Sequence, residues 1–314
     1  MKAKRIELKA SGVEFLPEPH EYWYGEKQLS GITELIQRQL FKTEYEGIPE
    51  WIIKQAGAYG TDVHQRIELF DKEWQNDGTQ EVEDYIRLCQ ENNFVHEMSE
   101  YTVTSVTDGL DYASNIDKVY RISDDTFTLA DIKTYGRMDA QKLAKAQWQL
   151  SIYRYMFLLL NPGAKVDRLV VIRLRNKTTK SGKLDHAAEV KVVEPIPVDI
   201  CKELLKAESE GRQFLNPYDI PAECACKEDR IRELLEQKDA IDEELSGIKT
   251  TFLEMMTKLN VMSWVGNRGT KFTRKLPTTR SSFNLQLFKE DHKDIDYSKY
   301  MKTSNVSGSL SIAI

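Results

Sequence analysis

The 314-residue sequence predicts an α/β protein with a C-terminal extension. Three observations predict it. Strand-like alternation in residues 4–30 and 94–134 is interleaved with helical periodicity. Length divided by about 150 residues per domain gives roughly two units. Asn216-Pro217, followed by Pro221, separates the interleaved part from a long helical stripe. With 40% apolar and 30% charged residues the chain can bury a sizeable core, which excludes an intrinsically disordered protein.

Ile6 and Leu8, then Val13 and Phe15, alternate with polar residues and read as short strands. Pro17 and Pro19 interrupt, and Gly25 turns the chain before Gln28 and Leu29. A helix is expected over 33–41. Thr61, after Gly60, reads as the N-cap of a second helix with Val63, Ile67 and Phe70 on one face. The acidic segment 71–84 reads as a loop that leads into a helix over 81–92. Tyr101, Val103 and Ser105 mark a strand ending at Thr107-Asp108-Gly109, and two more follow over 112–122 and 126–134. Asp139 caps a long helix that stops at Asn161-Pro162-Gly163. Residues 167–175 and 187–193 read as a hairpin with a polar tip, 176–183, and a helix spans 197–214.

Past the break, a helix is expected over 227–260. Ile231, Leu234, Lys238, Ile241, Leu245, Ile248, Phe252, Met255 and Leu259 step by alternating threes and fours, and only Lys238 is polar. That heptad-like stripe suits packing on its own domain or an inter-chain coiled coil. A basic hairpin around Asn267-Arg268-Gly269, a short helix over 284–293 and a strand from Ser309 complete the chain.

Lys+Arg minus Asp+Glu is 44 − 50 = −6, which excludes a protein that coats nucleic acid with its whole surface but not a local basic groove. The longest wholly apolar run, Met156 to Leu160, is far short of the roughly 20 residues of a membrane span. No apolar stretch follows the basic N-terminus, so a soluble, cytoplasmic protein is expected. Cys89, Cys201, Cys224 and Cys226 read as ordinary reduced thiols. There is no Walker A pattern, so no ATP-driven step is expected.

Candidate chemistry centres on 112–134. If Ser123 to Asp125 form a three-residue loop, paired positions sum to 248, and Asp117 falls opposite Asp131. Carboxylates about 5 Å apart on one face are tolerated when a cation lies between them, and their hard oxygens suit Mg²⁺ or Mn²⁺. Lys133, two residues past Asp131, shares that face. A carboxylate pair, a divalent metal and an ammonium are parts suited to phosphodiester hydrolysis. His64 on the second helix, Glu100 at a strand start, and Gln149 and Tyr153, spaced i, i+4, add to the set.

Taken in order, these segments resemble the PD-(D/E)xK nuclease superfamily, in its RecB-like, phage-exonuclease-like branch. The resemblance rests on His20-Glu21-Tyr22, Ser30-Gly31-Ile32-Thr33, Gly60-Thr61-Asp62-Val63-His64, Glu100, Ile116-Asp117, Asp131-Ile132-Lys133-Thr134 and Gln149 with Tyr153. It implies a restriction-endonuclease-like core, a central mixed sheet flanked by helices, over 1–215, with an extension over 216–314. It further implies that His64, Asp117, Asp131 and the Ile132 carbonyl bind Mg²⁺ or Mn²⁺, with Glu100 in support. Lys133 would activate water, and Gln149 and Tyr153 would orient the site or touch the DNA backbone. Ser114 stands where the branch often has glycine, and the cysteines do not match the iron–sulfur spacing of some relatives, so no cluster is expected.

The implied activity is exonucleolytic hydrolysis of double-stranded DNA ends in phage-type recombination or DNA-end processing, inside a bacterial host cell. An endonuclease or flap nuclease, and a catalytically inactive DNA-binding or recombination-partner module, are the alternatives. A single-strand annealing or recombination protein and further copies of the chain are the implied partners. Basic stretches at the hairpin tip (Lys177, Lys180, Lys183) and near the C-terminus (Arg268, Lys271, Arg274, Lys275) are the candidate phosphate contacts.

Overall fold

In the computed structural model the described residues are 5–178, 182, 184–225, 227–277, 288 and 292. They form two units, Met1–Pro217 and Tyr218–Ile314.

The first unit is α/β. Its strands are β1 (Glu14–Leu16), β2 (Glu21–Tyr24), β3 (Lys27–Gly31), β4 (Val95–Thr104), β5 (Tyr112–Arg121), β6 (Thr126–Lys133), β7 (Lys165–Thr178) and β8 (Leu184–Val193). Its helices are α1 (Ile32–Leu40), α2 (Glu50–Glu73), α3 (Gln80–Glu91), α4 (Ala140–Leu160) and α5 (Val198–Ser209). The strands make one mixed sheet in the order β1-β2-β3-β5-β6-β7-β8, with β4 on β5. The β3–β5 and β6–β7 pairs are parallel and the rest antiparallel. Two apolar cores lie on the two faces. One gathers α1, α4 and α5 around Ile116, Val119, Phe127 and Leu129. The other gathers α2 and α3 around Tyr120, Ala130, Ile132 and Val170. Every residue of β5 is buried, as expected of a strand covered on both faces.

The sheet forks at the middle of β5. Ala113 pairs with both Gly31 and Thr104, so β3 and β4 lie on opposite edges of β5. Lys118 to Arg121 pair with both β4 and β6, so β6 shares the β3 edge. On that edge β3 holds only Tyr112 and Ala113, and β6 holds only Lys118 onward. Between them, residues 114–117 face a gap where β6 peels away. The β5–β6 register sums to 248, from Lys118↔Ala130 to Arg121↔Phe127, and Ile122 N–H donates to the Thr126 carbonyl at 2.9 Å. The ladder stops one residue short of Asp117 and Asp131, so the two do not form a cross-strand pair.

Several expectations need correction. No strand forms at Ile6 and Leu8; that segment instead runs beside the β5–β6 loop, Ile6 N–H donating to the Asp124 carbonyl. Helix α2 begins at Glu50, so Thr61 is interior and caps nothing. Gly60 is there for proximity rather than as a breaker: a Cβ on it would meet Thr134 Oγ1 at 3.4 Å, beside the end of β6. Strand β4 starts at Val95, six residues before Tyr101, and carries a register shift between His96 and Met98. Helix α5 ends at Ser209 rather than 214. The Asp139 cap is present, accepting from Lys142 N–H at 2.9 Å.

The second unit has α6 (Ala222–Ala225), α7 (Glu228–Lys258) and a hairpin of β9 (Ser263–Val265) and β10 (Lys271–Thr273). The hairpin packs on the end of α7, with Phe252 against Phe272 at 4.6 Å and Trp264 at 6.2 Å, beside buried Met256. The helix expected over 284–293, apart from Phe288 and His292, and the strand expected from Ser309 lie outside the described residues. Among the described residues no helix is long and apolar enough to cross a membrane.

Candidate metal centre

The fork collects charge. His64 from α2, Glu100 from β4 and Asp117 from β5 each bring one ligand atom to within 4.8 Å of the others. His64 Nδ1 lies 3.9 Å from Glu100 and Nε2 3.8 Å from Asp117. Nε2 also donates to the Ile132 carbonyl at 3.1 Å. Asp117 accepts from the Ile132 N–H at 2.7 Å. The gap left by the diverging ladder is thus bridged by a side chain, and the Ile132 peptide is held from both ends.

Two backbone features aim these groups. Glu100 adopts a left-handed conformation, φ 49°, inside a strand. A long non-glycine side chain there costs on the order of 1–2 kcal/mol. It falls between the pairs Ser99↔Lys118 and Tyr101↔Ile116. Across from it the alternation of β5 breaks. Ile116 and Val119, three apart, both join the α4-side core, which strict period two forbids. Asp117 sits at the break and reaches His64 on α2.

Asp131 lies beside this trio rather than within it. Its carboxylate is buried and faces Lys133, with Nζ 3.1 Å from Oδ1 and 2.8 Å from Oδ2. The Oδ2 contact lacks hydrogen-bond alignment, leaving Oδ2 without a hydrogen-bond partner. Lys133 also donates to Gln149 Oε1 at 3.3 Å, Gln149 Nε2 to Tyr153 at 2.6 Å, and Ser114 Oγ to Tyr153 at 2.9 Å. Gln149 and Tyr153 therefore brace the lysine.

The electrostatics are those of an acid cluster short of cations. Burial pushes Asp131 up to about 6; Lys133 opposes this and Asp117 reinforces it. Burial works against the charge of Lys133, but Asp131, Tyr135 and Asp117 outweigh it and raise its pKa. Burial likewise disfavours charge on His64, yet Asp117 and Glu100 override it and lift the imidazole to about 9. A proton on His64 thus does part of the work of a cation.

The donor set fits a divalent ion. Hard carboxylate oxygens, a peptide carbonyl and one imidazole suit Mn²⁺ or Mg²⁺. Asp131 Oδ2, 2.8 Å from Lys133 Nζ but without an aligned hydrogen bond, keeps acceptor capacity that suits such an ion. The residues grouped to hold it are His64, Glu100 and Asp117, with Asp131 and the Ile132 carbonyl beside them.

A cleft of about 710 Å³ is lined by His64, Asp117, Asp131, Ile132 and Lys133, and also by Tyr45, Ile52, Tyr59, Lys142 and Lys177. Lys177 Nζ sits 4.5 Å from the Tyr59 ring. A second cavity of about 470 Å³ is lined by His20, Tyr22, Ser30, Thr33 and Ser114. Tyr22 hydrogen-bonds Ser114, and burial pushes its phenol up to about 12.

The basic stretches fare unevenly. Lys180 and Lys183 lie outside the described residues. Lys165, Arg173 and Arg175 pair internally with Asp125, Glu189 and Asp185. Arg173 and Arg175 also donate to the carbonyls of Tyr135 and Thr134, fixing the turn after Lys133. In the second unit Arg268, Lys271 and Lys275 are exposed, while Arg274 turns to Met256 O at 3.2 Å and Asn260 at 3.3 Å. Trp148 is buried against Phe214.

Sequence reasoning missed the group beneath the centre. Lys118 Nζ and Asp71 Oδ2 form a buried ion pair at 2.5 Å; Ser99 accepts from Lys118 at 2.7 Å and Tyr85 donates to Asp71 at 3.0 Å. The only signal was Lys118, next to Asp117 in the strand expected over 112–122.

No protein-family model and no curated protein matches the chain. It is similar to the solved structure of SSO0001, at 15% identity over 60% of this chain and 78% of that one, with a TM-score of 0.34. So distant a likeness carries no argument about function.

Proposed function

We propose that the chain is a Mg²⁺- or Mn²⁺-dependent deoxyribonuclease of the PD-(D/E)xK superfamily, with a restriction-endonuclease-like core, acting as an exonuclease on double-stranded DNA ends. One observation carries this reading: His64, Glu100 and Asp117 converge at the sheet fork, with the buried Asp131–Lys133 pair alongside.

When bound, the ion supplies Lewis acidity and a nucleophile at neutral pH. The protein's own groups do the rest. Glu100, Asp117, Asp131, His64 and the Ile132 carbonyl orient the centre. Lys133, kept protonated by Asp131, holds a positive charge where negative charge grows on a phosphate under attack. Gln149 restrains Lys133, and Tyr153 restrains Gln149. Lys177 at the cleft wall offers a phosphate contact that reads no sequence.

The test is digestion of end-labelled linear duplex with Mg²⁺, against a closed-circle control. Nucleotide release from the linear substrate alone is expected, together with a loss of at least about 100-fold in Asp131→Asn. Cutting of the circle would make the enzyme an endonuclease, and no release from either substrate would reject catalysis.

A further inference from the structure

Among the described residues, the face of α7 that carries the heptad is exposed except at Phe252. Nine positions from Ile231 to Leu259 follow the three–four spacing without a slip, over about four heptads. In heptad terms Ile231, Lys238, Leu245, Phe252 and Leu259 are the a positions, and Leu234, Ile241, Ile248 and Met255 the d positions. The β9–β10 hairpin takes Phe252. The other apolar members, Ile231, Leu234, Ile241, Leu245, Ile248, Met255 and Leu259, are 36–57% exposed. A soluble helix does not keep so regular an apolar seam in water without a partner.

We infer that a second copy of this chain covers the seam, as a parallel two-stranded coiled coil through α7. Flanking charge together with the number of matched layers favours a second copy in parallel. In a parallel, in-register pair each g position faces the next e position of the other helix, which sets Glu244 against the second copy's Lys249, twice by symmetry. Gln237 then faces Asp242, and Arg230 faces Leu235, so no like charges meet at these flanks. An antiparallel pair loses an end layer in either register. Matching Ile231 to Met255 leaves out Leu259 and opposes Glu244 to Glu244, Asp242 to Asp242 and Arg230 to Lys258, while sliding by one heptad sets Asp242 against Lys249 but leaves out Ile231.

Lys238 fixes the register. A single lysine at an a position lowers affinity and penalises misaligned or higher-order assemblies. Its ammonium is already held by Asp242 at 2.8 Å, so the charge stays at the edge of the seam. The seam is short. The helix is about 46 Å long, 31 residues at 1.5 Å each. With Phe252 covered by the hairpin and Lys238 inside the seam, a dissociation constant on the order of micromolar is expected.

The experiment is sedimentation equilibrium of the full chain from about 1 to about 100 µM, which brackets that affinity. A monomer–dimer equilibrium is expected. Leu245→Glu, at an exposed position, should abolish it without changing the unfolding midpoint. Lys238→Leu should tighten it by about tenfold or more. Glu244→Lys and Lys249→Glu should each weaken it, and the double variant should restore it. A monomer throughout, a stoichiometry other than two, or an assembly that Leu245→Glu leaves intact would overturn the inference. Failure of the double variant to restore association would overturn the parallel arrangement. None of these readouts depends on nuclease activity.

Discussion

At the scale of the residue, the most informative side chain is Glu100. Its left-handed backbone is unfavourable for a glutamate and is held in place by the pairs on either side of it. Strain of this kind persists where the surroundings over-determine it, commonly at a functional site. Glycine adopts φ 49° without penalty. Glu100→Gly should therefore keep the unfolding free energy within about 1 kcal/mol of wild type, or raise it, while metal-dependent turnover falls by about 100-fold or more. Parallel denaturant melts and nuclease assays check this. A large loss of stability together with intact turnover would mean that the carboxylate serves the fold and not the site. The sequence marked Glu100 as a strand start in support of the metal, but not its backbone, because a left-handed residue inside a strand leaves no compositional mark.

At the scale of the element, legibility followed the locality of the cause. The β5–β6 register could be read because a three-residue loop dictates it through neighbours in sequence. The Asp139 cap was legible for the same reason. The start of α2 was not. Gly60 before Thr61 looks like a helix boundary, yet α2 runs through both. The divergence of β6 was also hidden, since it depends on β3 occupying the far end of the same β5 edge. Beneath these elements, Asp71–Lys118 ties α2 to β5, one residue from Asp117 and opposite Ser99. Removing one partner of a buried pair leaves a charge without compensation, so Lys118→Met should cost about 3–5 kcal/mol in urea melts. Replacing both, as Asp71→Leu with Lys118→Met, should recover much of that. Equal losses in the single and double variants would show that the pair does not act as a unit.

At the scale of the whole molecule, among the described residues the buried apolar side chains lie in the first unit apart from Met256 in the second. The net charge of −6 pointed away from a nucleic-acid coat, and much of the basic stretch after Lys165 is engaged in internal ion pairs. Of what the sequence marked by residue type, His64, Asp117, Asp131 and Lys133 line one cleft, and Glu100 comes within reach of His64 and Asp117, although Asp131 faces Lys133 rather than standing square to Asp117. The clustering has a pH signature. His64 moves from about 6.5 to about 9, so its proton stabilises the metal-free fold fully below pH 6.5, and that contribution fades as pH rises through 9. Asp131, raised to about 6, favours the fold when protonated, and its contribution is lost as pH rises from 3.8 through 6. A divalent ion must displace these protons, so its affinity should climb with pH, by up to about tenfold per unit between 6.5 and 9. Calorimetric titration of Mn²⁺ into the full chain, at pH about 6.5 and about 8.5 in buffers of different ionisation enthalpy, tests this most directly. Tighter binding at the higher pH, with proton release, and its loss in Asp117→Asn are the predicted result. No Mn²⁺ binding at either pH, or binding unchanged by Asp117→Asn, would contradict a metal centre at the sheet fork.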